Sequence, residues 1–248
     1  MRTLKLTLEY DGTHFRGWQI QNSKDRTIQG ELVKACQKLF GKPIRIIGSG
    51  RTDSGVHALG QVAHFKVNTT LTAEKVHRAL NALSPADIGI LTVEDAKSDF
   101  HARYSAKSKV YRYTVLNRKS RSALQRDFSY FYPYPLNLRI MKMAAKGLIG
   151  RHNFKSFQAT PPADEARKNP FRTITALTIR KSGDFIIIDF EANSFLHKMV
   201  RNIVGTLLEI GSERFPRRNI QNILTKKHRK FAGRTAPAKG LCLVKVNY

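Results

Sequence analysis

Apolar residues alternate with polar ones from the first positions of the chain. Leu4, Leu6, Leu8 and Tyr10 interleave with Lys5, Thr7 and Glu9, the period of two that marks a half-buried strand. The period then changes. Ile28, Leu32, Ala35, Cys36 and Leu39 fall on one side of a helix that Thr27 can cap and Gly41 can end. Pro43 to Ile47 and Gln61 to Val67 read as strands. Thr72 caps a second helix, with Leu71 and Val76 spaced as a staple and Val76, Leu80 and Leu83 as its buried stripe, and Pro85 stops it. Ile88 to Val93 reads as another strand.

The second half opens in the same way. Lys109 to Leu116 is a strand with Tyr111, Tyr113 and Val115 on one face. Arg118 to Pro135 is irregular, basic and aromatic, the pattern of a surface insertion. A helix follows around Leu138 to Leu148. Phe171 to Arg180 and Phe185 to Ala192 make a hairpin through Lys181 to Asp184. Ser194 is the expected cap of a strongly apolar helix, Phe195 to Ile210. Pro216 to Leu224 reads as a shorter helix and Leu241 to Tyr248 as a last strand. The expected fold is therefore α+β. Two similar halves, 1–103 and 104–248, each carry a mainly antiparallel sheet with helices on one face and together form a basic central cleft.

Composition sharpens this picture through charge. The chain of 248 residues holds 44 Lys and Arg against 18 Asp and Glu, a net charge of +26. Self-repulsion of that size is relieved by a polyanionic partner. No carboxylate side chain occurs between His101 and Arg126, or after Glu213. Such one-signed stretches point to nucleic acid, whereas a membrane surface would want a basic amphipathic helix with a broad apolar side. The N-terminal alternation reads as a strand rather than a signal peptide, and no apolar run reaches the ~18 residues of a membrane span. A cytoplasmic protein is expected. Cys36 and Cys242 are too few and too far apart for a disulfide framework and are read as small hydrophobes.

Three stretches carry candidate chemistry. The first is GSGRTDSGVHA, Gly48 to Ala58, in which glycines bracket Asp53 two residues after Arg51. A carboxylate in a glycine-rich turn can be a simple Asx cap. Beside a guanidinium it is also kept ionised and oriented, as a nucleophile or base requires. The second is Tyr111, a core aromatic or a stacking face for an unstacked base. The third is Arg201, embedded among Met199, Val200 and Ile203. Its cation either snorkels to a rim with His197 and Lys198 or pairs with a functional carboxylate such as Asp53. Neither HExxH nor a cysteine pair is present, and Asp53 with His57 makes a poor ligand set, so no metal is expected. Walker and GxSxG signatures are absent as well.

Together these stretches resemble the TruA family of tRNA pseudouridine synthases over nearly the whole chain. LEYDGTHFRGWQIQ with TIQGEL, GSGRTDSGVHALGQVAHF, KVYRYTV, SFLHKMVRNIVG and APAKGLCLVKVNY resemble the family's blocks in their order. The resemblance implies Asp53 as the catalytic aspartate and Tyr111 against the target base. It implies Arg51 and Arg201 as basic companions of the carboxylate and Leu241 as an apolar wall. It also implies a homodimer acting without cofactor on the tRNA anticodon arm, at uridines 38 to 40. Two departures stand out: Asn153 where the family has Asp, and Ser54 where Ala is commoner. The competing readings are a non-catalytic tRNA-binding protein and a metal-dependent RNA hydrolase using Asp53 and His57.

Overall fold

The computed structural model describes residues 1–22, 25–159, 169–213 and 219–248. Two compact units form, Met1–Lys107 with Cys242–Tyr248, and Ser108–Leu241. Both are α+β, and their strands pair mainly antiparallel.

In the first unit, β1 (Arg2–Tyr10) leads to α1 (Ile28–Phe40), whose cap is Thr27, its hydroxyl accepting from the Gly30 amide at 3.2 Å. Such a cap contributes about 1 kcal/mol. Gly41 closes the helix in the left-handed region, at φ 71°. A two-residue strand β2 (Ile47–Gly48), a long strand β3 (His57–Val67), helix α2 (Ala73–Leu83) and strand β4 (Ile88–Ala96) follow. Leu4, Leu6 and Leu8 are fully buried, as the alternation required. β1 lies between β3 and β4, antiparallel to both.

The expected strand from Pro43 to Ile47 is mostly not a strand. Ile44 and Ile46 are buried, but only Ile47 and Gly48 pair, with His64 and Ala63. The Ile46 carbonyl is taken instead by the Gln29 side chain at 2.8 Å, so a side chain from α1 replaces a strand partner.

The second unit holds β5 (Ser108–Leu116), β6 (Tyr130–Phe131), α3 (Leu138–Lys146), β7 (Gly150–Asn153), β8 (Phe171–Ser182), β9 (Phe185–Ala192), α4 (Met199–Gly211) and α5 (Ile220–Lys226). Its strand order is β5-β9-β8-β7, with β6 parallel to β5. Tyr111 stands opposite Phe190, and Tyr113 opposite Ile188. Helix α4 begins at Met199 rather than at the expected Phe195. Its cap is Lys198, in the left-handed region at φ 57° with no side-chain cap bond, not Ser194. Helix α5 is capped by Asn219, which accepts from the Gln221 amide at 2.8 Å; the expected start at Pro216 lies outside the described residues.

The last strand, β10 (Leu241–Asn247), pairs parallel to β3 at Cys242–His57 and Leu243–Ala58. Gly60 is bare because a Cβ there would stand 2.5 Å from the Val244 carbonyl oxygen. Among the described residues no helix is long and apolar enough to cross a membrane.

Candidate active site

The loop from Ser49 to Val56 leaves β2 and enters β3, and hydrogen bonds hold it along its length. The Ser49 amide donates to the Val62 carbonyl at 2.7 Å. The Ser49 hydroxyl donates to Gln61 Oε1 at 2.7 Å, and Gln61 Nε2 donates to the Gly50 carbonyl at 3.1 Å. Gln61 itself is fully buried, so each of these bonds offsets a desolvation cost that an unpaired amide would carry. The Thr52 hydroxyl sits 2.9 Å from the Tyr10 hydroxyl, and burial pushes the Tyr10 phenol well above its ordinary range.

The other half of the clamp is the segment 11–18, which reads DGTHFRGW. The Trp18 amide donates to the Thr52 carbonyl at 3.1 Å, and the Gly55 amide and Ser54 hydroxyl donate to the Phe15 carbonyl at 3.3 and 3.1 Å. Two glycines make this approach possible. A Cβ on Gly12 would fall on the Val56 carbonyl, and one on Gly17, at φ 93°, would stand 2.6 Å from the Thr52 carbonyl oxygen. Phe15 is buried beneath the Arg26 guanidinium, 4.2 Å from the ring centroid, and Arg26 forks onto Asp87 at 2.7 and 2.8 Å. Asp53 is half-buried within this frame, and Arg51 is exposed two residues before it. The Val56 amide donates to the Asp53 carbonyl at 3.1 Å, tightening the turn.

His57 is buried at the exit of the loop. Its Nδ1 accepts from the Gly12 amide at 3.0 Å and lies 3.1 Å from Asp11 Oδ1. The ring thus ties the two segments together. Burial by itself would raise the Asp11 carboxyl, but the Thr13 hydroxyl and amide, with His57 and His14 nearby, hold it below the ordinary range. The same two bonds from Thr13 fix the turn at Gly12. Among the described residues no group of three or more His, Cys, Asp or Glu is placed to hold a metal ion.

In the second unit the candidates ride regular elements. Tyr111 is only 8% exposed, its ring edge-to-face with Phe195 at 5.1 Å and 85°. Tyr113, on the same face of β5, is fully buried and donates to the Pro237 carbonyl at 2.8 Å. Burial raises its phenol far above the ordinary value, and the nearby Arg201 cation offsets part of that rise. Arg201 lies half-buried in the first turn of α4, where its Nε donates to the Ala236 carbonyl at 2.8 Å and its carbonyl accepts from the Ala236 amide at 3.1 Å. Leu241 is buried just after Gly240, where a Cβ would stand 2.6 Å from the Tyr113 ring. Arg51 and Asp53 therefore share one loop of the first unit, while Tyr111, Arg201 and Leu241 belong to the second, where Arg201 lies near Tyr113.

Sequence reasoning missed the polar stripe of α4. Asn202 is fully buried, donating to the Phe157 carbonyl at 2.7 Å and accepting from Arg229 and the Thr235 hydroxyl at 3.1 and 2.6 Å. The Thr206 hydroxyl accepts from the Gly233 amide at 2.8 Å. Spacing four apart on one helix side was the available signal, but the apolar residues around them masked it. Gly205 lets the backbones approach closely, since a Cβ there would fall on the Arg234 carbonyl. Asn153 accepts from the Lys155 amide at 3.0 Å, a capping role that Asp would serve equally.

The model of a family described as tRNA pseudouridine synthase matches residues 7–105 and 144–248. Proteins named tRNA pseudouridine synthase A are similar along their whole length. The one from Thermoanaerobacter sp. (strain X514) is 46% identical, covering 100% of both chains. That of Clostridium acetobutylicum is 44% identical, again over 100% of both, and that of Geobacillus sp. (strain WCH70) is 44% identical, over 100% of this chain and 98% of the other. Among solved structures, a chain of a Cbf5-Nop10-Gar1 complex matches with a TM-score of 0.33 and 11% identity, over 82% of this chain and 54% of that one. The matched regions contain the whole Asp53 loop, Arg201 and Leu241, and the chain belongs to the tRNA pseudouridine synthases, a family of isomerases.

Proposed function

We propose that this protein, working as a cytoplasmic homodimer, converts uridine to pseudouridine in the anticodon stem-loop of tRNA, at positions 38 to 40. Asp53 is the catalytic carboxylate, and Tyr111 stacks on the extruded base. Arg51 and Arg201 are positioning residues for the carboxylate, and Leu241 is an apolar wall of the pocket. The observation that carries the reading is the clamp on the Asp53 loop: segment 11–18 and Gln61 bond to the backbone on both sides of a half-buried carboxylate. That degree of fixation suits a group that must meet a reacting carbon at a set angle.

The isomerisation breaks the bond between uracil N1 and ribose C1′, turns the base, and joins its C5 to C1′. A proton leaves C5 and N1 gains one, so no electrons are gained or lost and no cofactor is consumed. Attack on the ribose, attack on the uracil ring, and removal of a sugar proton all begin with an ionised carboxylate. The target base must first leave its stack, and an aromatic face replaces part of the lost stacking. The charge of +26 supplies the attraction for phosphates that brings the arm in.

Tritium release from tRNA labelled at uracil C5 tests this directly. Release is expected from the wild type with or without chelator, and none from Asp53→Asn or Asp53→Ala, while both variants still bind tRNA. Release that persists in both variants removes Asp53 from the reaction. Strand scission that stops with chelator supports the hydrolase instead.

A further inference from the structure

The basic, aromatic insertion after β5 has no part in the reaction above, yet it ends in a built cavity. Tyr130, Tyr132 and Tyr134 line a space of about 320 Å³ together with the outer turns of α4 and the segment Arg234 to Ala236. Alternate residues of an extended chain point to one side, and the three rings form an edge-to-face ladder, with centroids 6.0 Å and 5.5 Å apart at 66° and 76°. A tyrosine ring can take a further planar group against its π-face. Tyr134 is 45% exposed, and Tyr130 and Tyr132 are half-buried.

The walls are fixed before any ligand arrives. Asn117 Nδ2 donates to both the Tyr132 and Tyr134 carbonyls at 2.8 Å, which sets the spacing of the rings. On the other wall, the Arg234 amide donates to Glu209 Oε1 at 2.9 Å, and the bare Cα of Gly205 admits the Arg234 carbonyl. The Arg234 side chain is exposed and lies close enough to Tyr130 to lower its phenol, against the larger rise from burial. Just upstream of the rings, Lys119, Arg121 and Arg126 are exposed. Flat aromatic faces beside a cation and a basic approach are complementary to a nucleotide, whose base stacks while its phosphate meets the guanidinium.

We propose that this cavity holds one unstacked nucleotide of the bound tRNA, distinct from the target uridine, with its base on the tyrosine ladder and its phosphate at Arg234. This rests on the tRNA reading above and adds a second grip on the same substrate.

Filter binding of full-length tRNA to the intact protein tests it, with tritium release by the wild type run alongside. Tyr134→Ala is expected to raise Kd about tenfold, the loss of one stacked base, and Tyr134→Phe to restore wild-type affinity. Arg234→Gln is expected to lower the slope of log Kd against log salt by about one. An exposed Tyr134 makes the Ala variant tolerable to the fold, and its melting temperature checks this. Wild-type Kd and salt slope in all three variants, with tritium release intact, overturn the second grip alone. Loss of release in the wild type would strike the tRNA reading instead. If Tyr134→Ala converts a dimer to a monomer in sedimentation without changing tRNA affinity, the face joins two copies of the chain and the proposal fails.

Discussion

In the first unit Asp53 rides an irregular loop, while in the second Tyr111 and Arg201 ride a strand and a helix. The loop has no ladder of its own, so its shape depends on partners far away in sequence: Gln61, Tyr10, and the backbone of Phe15 and Trp18. Tyr111 needs no such frame, because the register of β5 on β9 already sets which way it points. Arg201 falls between the two cases. Its helix is regular, but its guanidinium is held by a carbonyl of the 233–236 segment, which α4 clamps through Asn202, Thr206 and Glu209. The lesson is where fragility resides. A loop residue is displaced by changes at glycines that only its frame requires, whereas a strand residue is displaced only by changes in pairing.

The sharpest test of that contrast is Gly12→Ala. Its new methyl would meet the Val56 carbonyl, so the loop must move. Tritium release is expected to drop at least about a hundredfold, with a stability loss of about 1–3 kcal/mol. Wild-type rates in this variant would mean that the clamp does not position Asp53. Gly205→Ala strikes the frame of Arg201 in the same way, at the Arg234 carbonyl. About 2–3 kcal/mol of stability should be lost, read as a lower melting temperature, with a smaller loss of rate than Gly12→Ala because the helix itself persists.

A milder lever is pH. His64, on β3, accepts the Ala102 amide on Nδ1 at 3.1 Å. Burial first, and then His101 and Lys66, hold its pKa below the ordinary value, against a raising contribution from Ile47. A base with a depressed folded-state pKa leaves the unfolded chain binding more protons. Its contribution is therefore whole above the unfolded value, about 6.5, and is lost as pH falls below it. The urea midpoint should decline from pH 7 to pH 5, and His64→Gln, which keeps an acceptor, should flatten that decline. The smallest effect is expected from Tyr111→Phe. Its ring still packs on Phe195, so stacking survives and release should fall less than about threefold. A collapse there would assign the hydroxyl a part in the chemistry.

Elements with clean periodicity and strong caps were legible in the sequence. β1, α1, α2, β5 and the β8–β9 hairpin stand within a few residues of their expected bounds. The start of α4 was not legible, because Phe195 and Leu196 continue an apolar stripe in sequence while the backbone turns before Lys198. Asn193 Oδ1 takes the Ser194 amide, and Phe195 turns its ring to Tyr111. The expected strand from Pro43 was lost for a similar reason: Gln29, not a neighbouring strand, satisfies Ile46. The short strand β6 was hidden inside an irregular, basic insertion: Tyr130, Tyr132 and Tyr134 alternate, but Phe131 and Pro133 between them blur a half-buried strand pattern, and it is Asn117, distant in sequence, that bridges Tyr132 and Tyr134.

Composition and local pattern by themselves determined the fold class and pointed to a polyanionic partner and to Asp53, Tyr111 and Arg201 as candidates, since charge, period and loop chemistry are properties of neighbours along the chain. Tertiary structure alone decided how those residues are held. That the last strand lies parallel to β3, that segment 11–18 grips the Asp53 loop, and that Asn202 anchors the 229–236 segment all follow from contacts between distant positions. Such contacts depend on which carbonyls and amides remain unpaired once local elements have formed, and no local pattern records that.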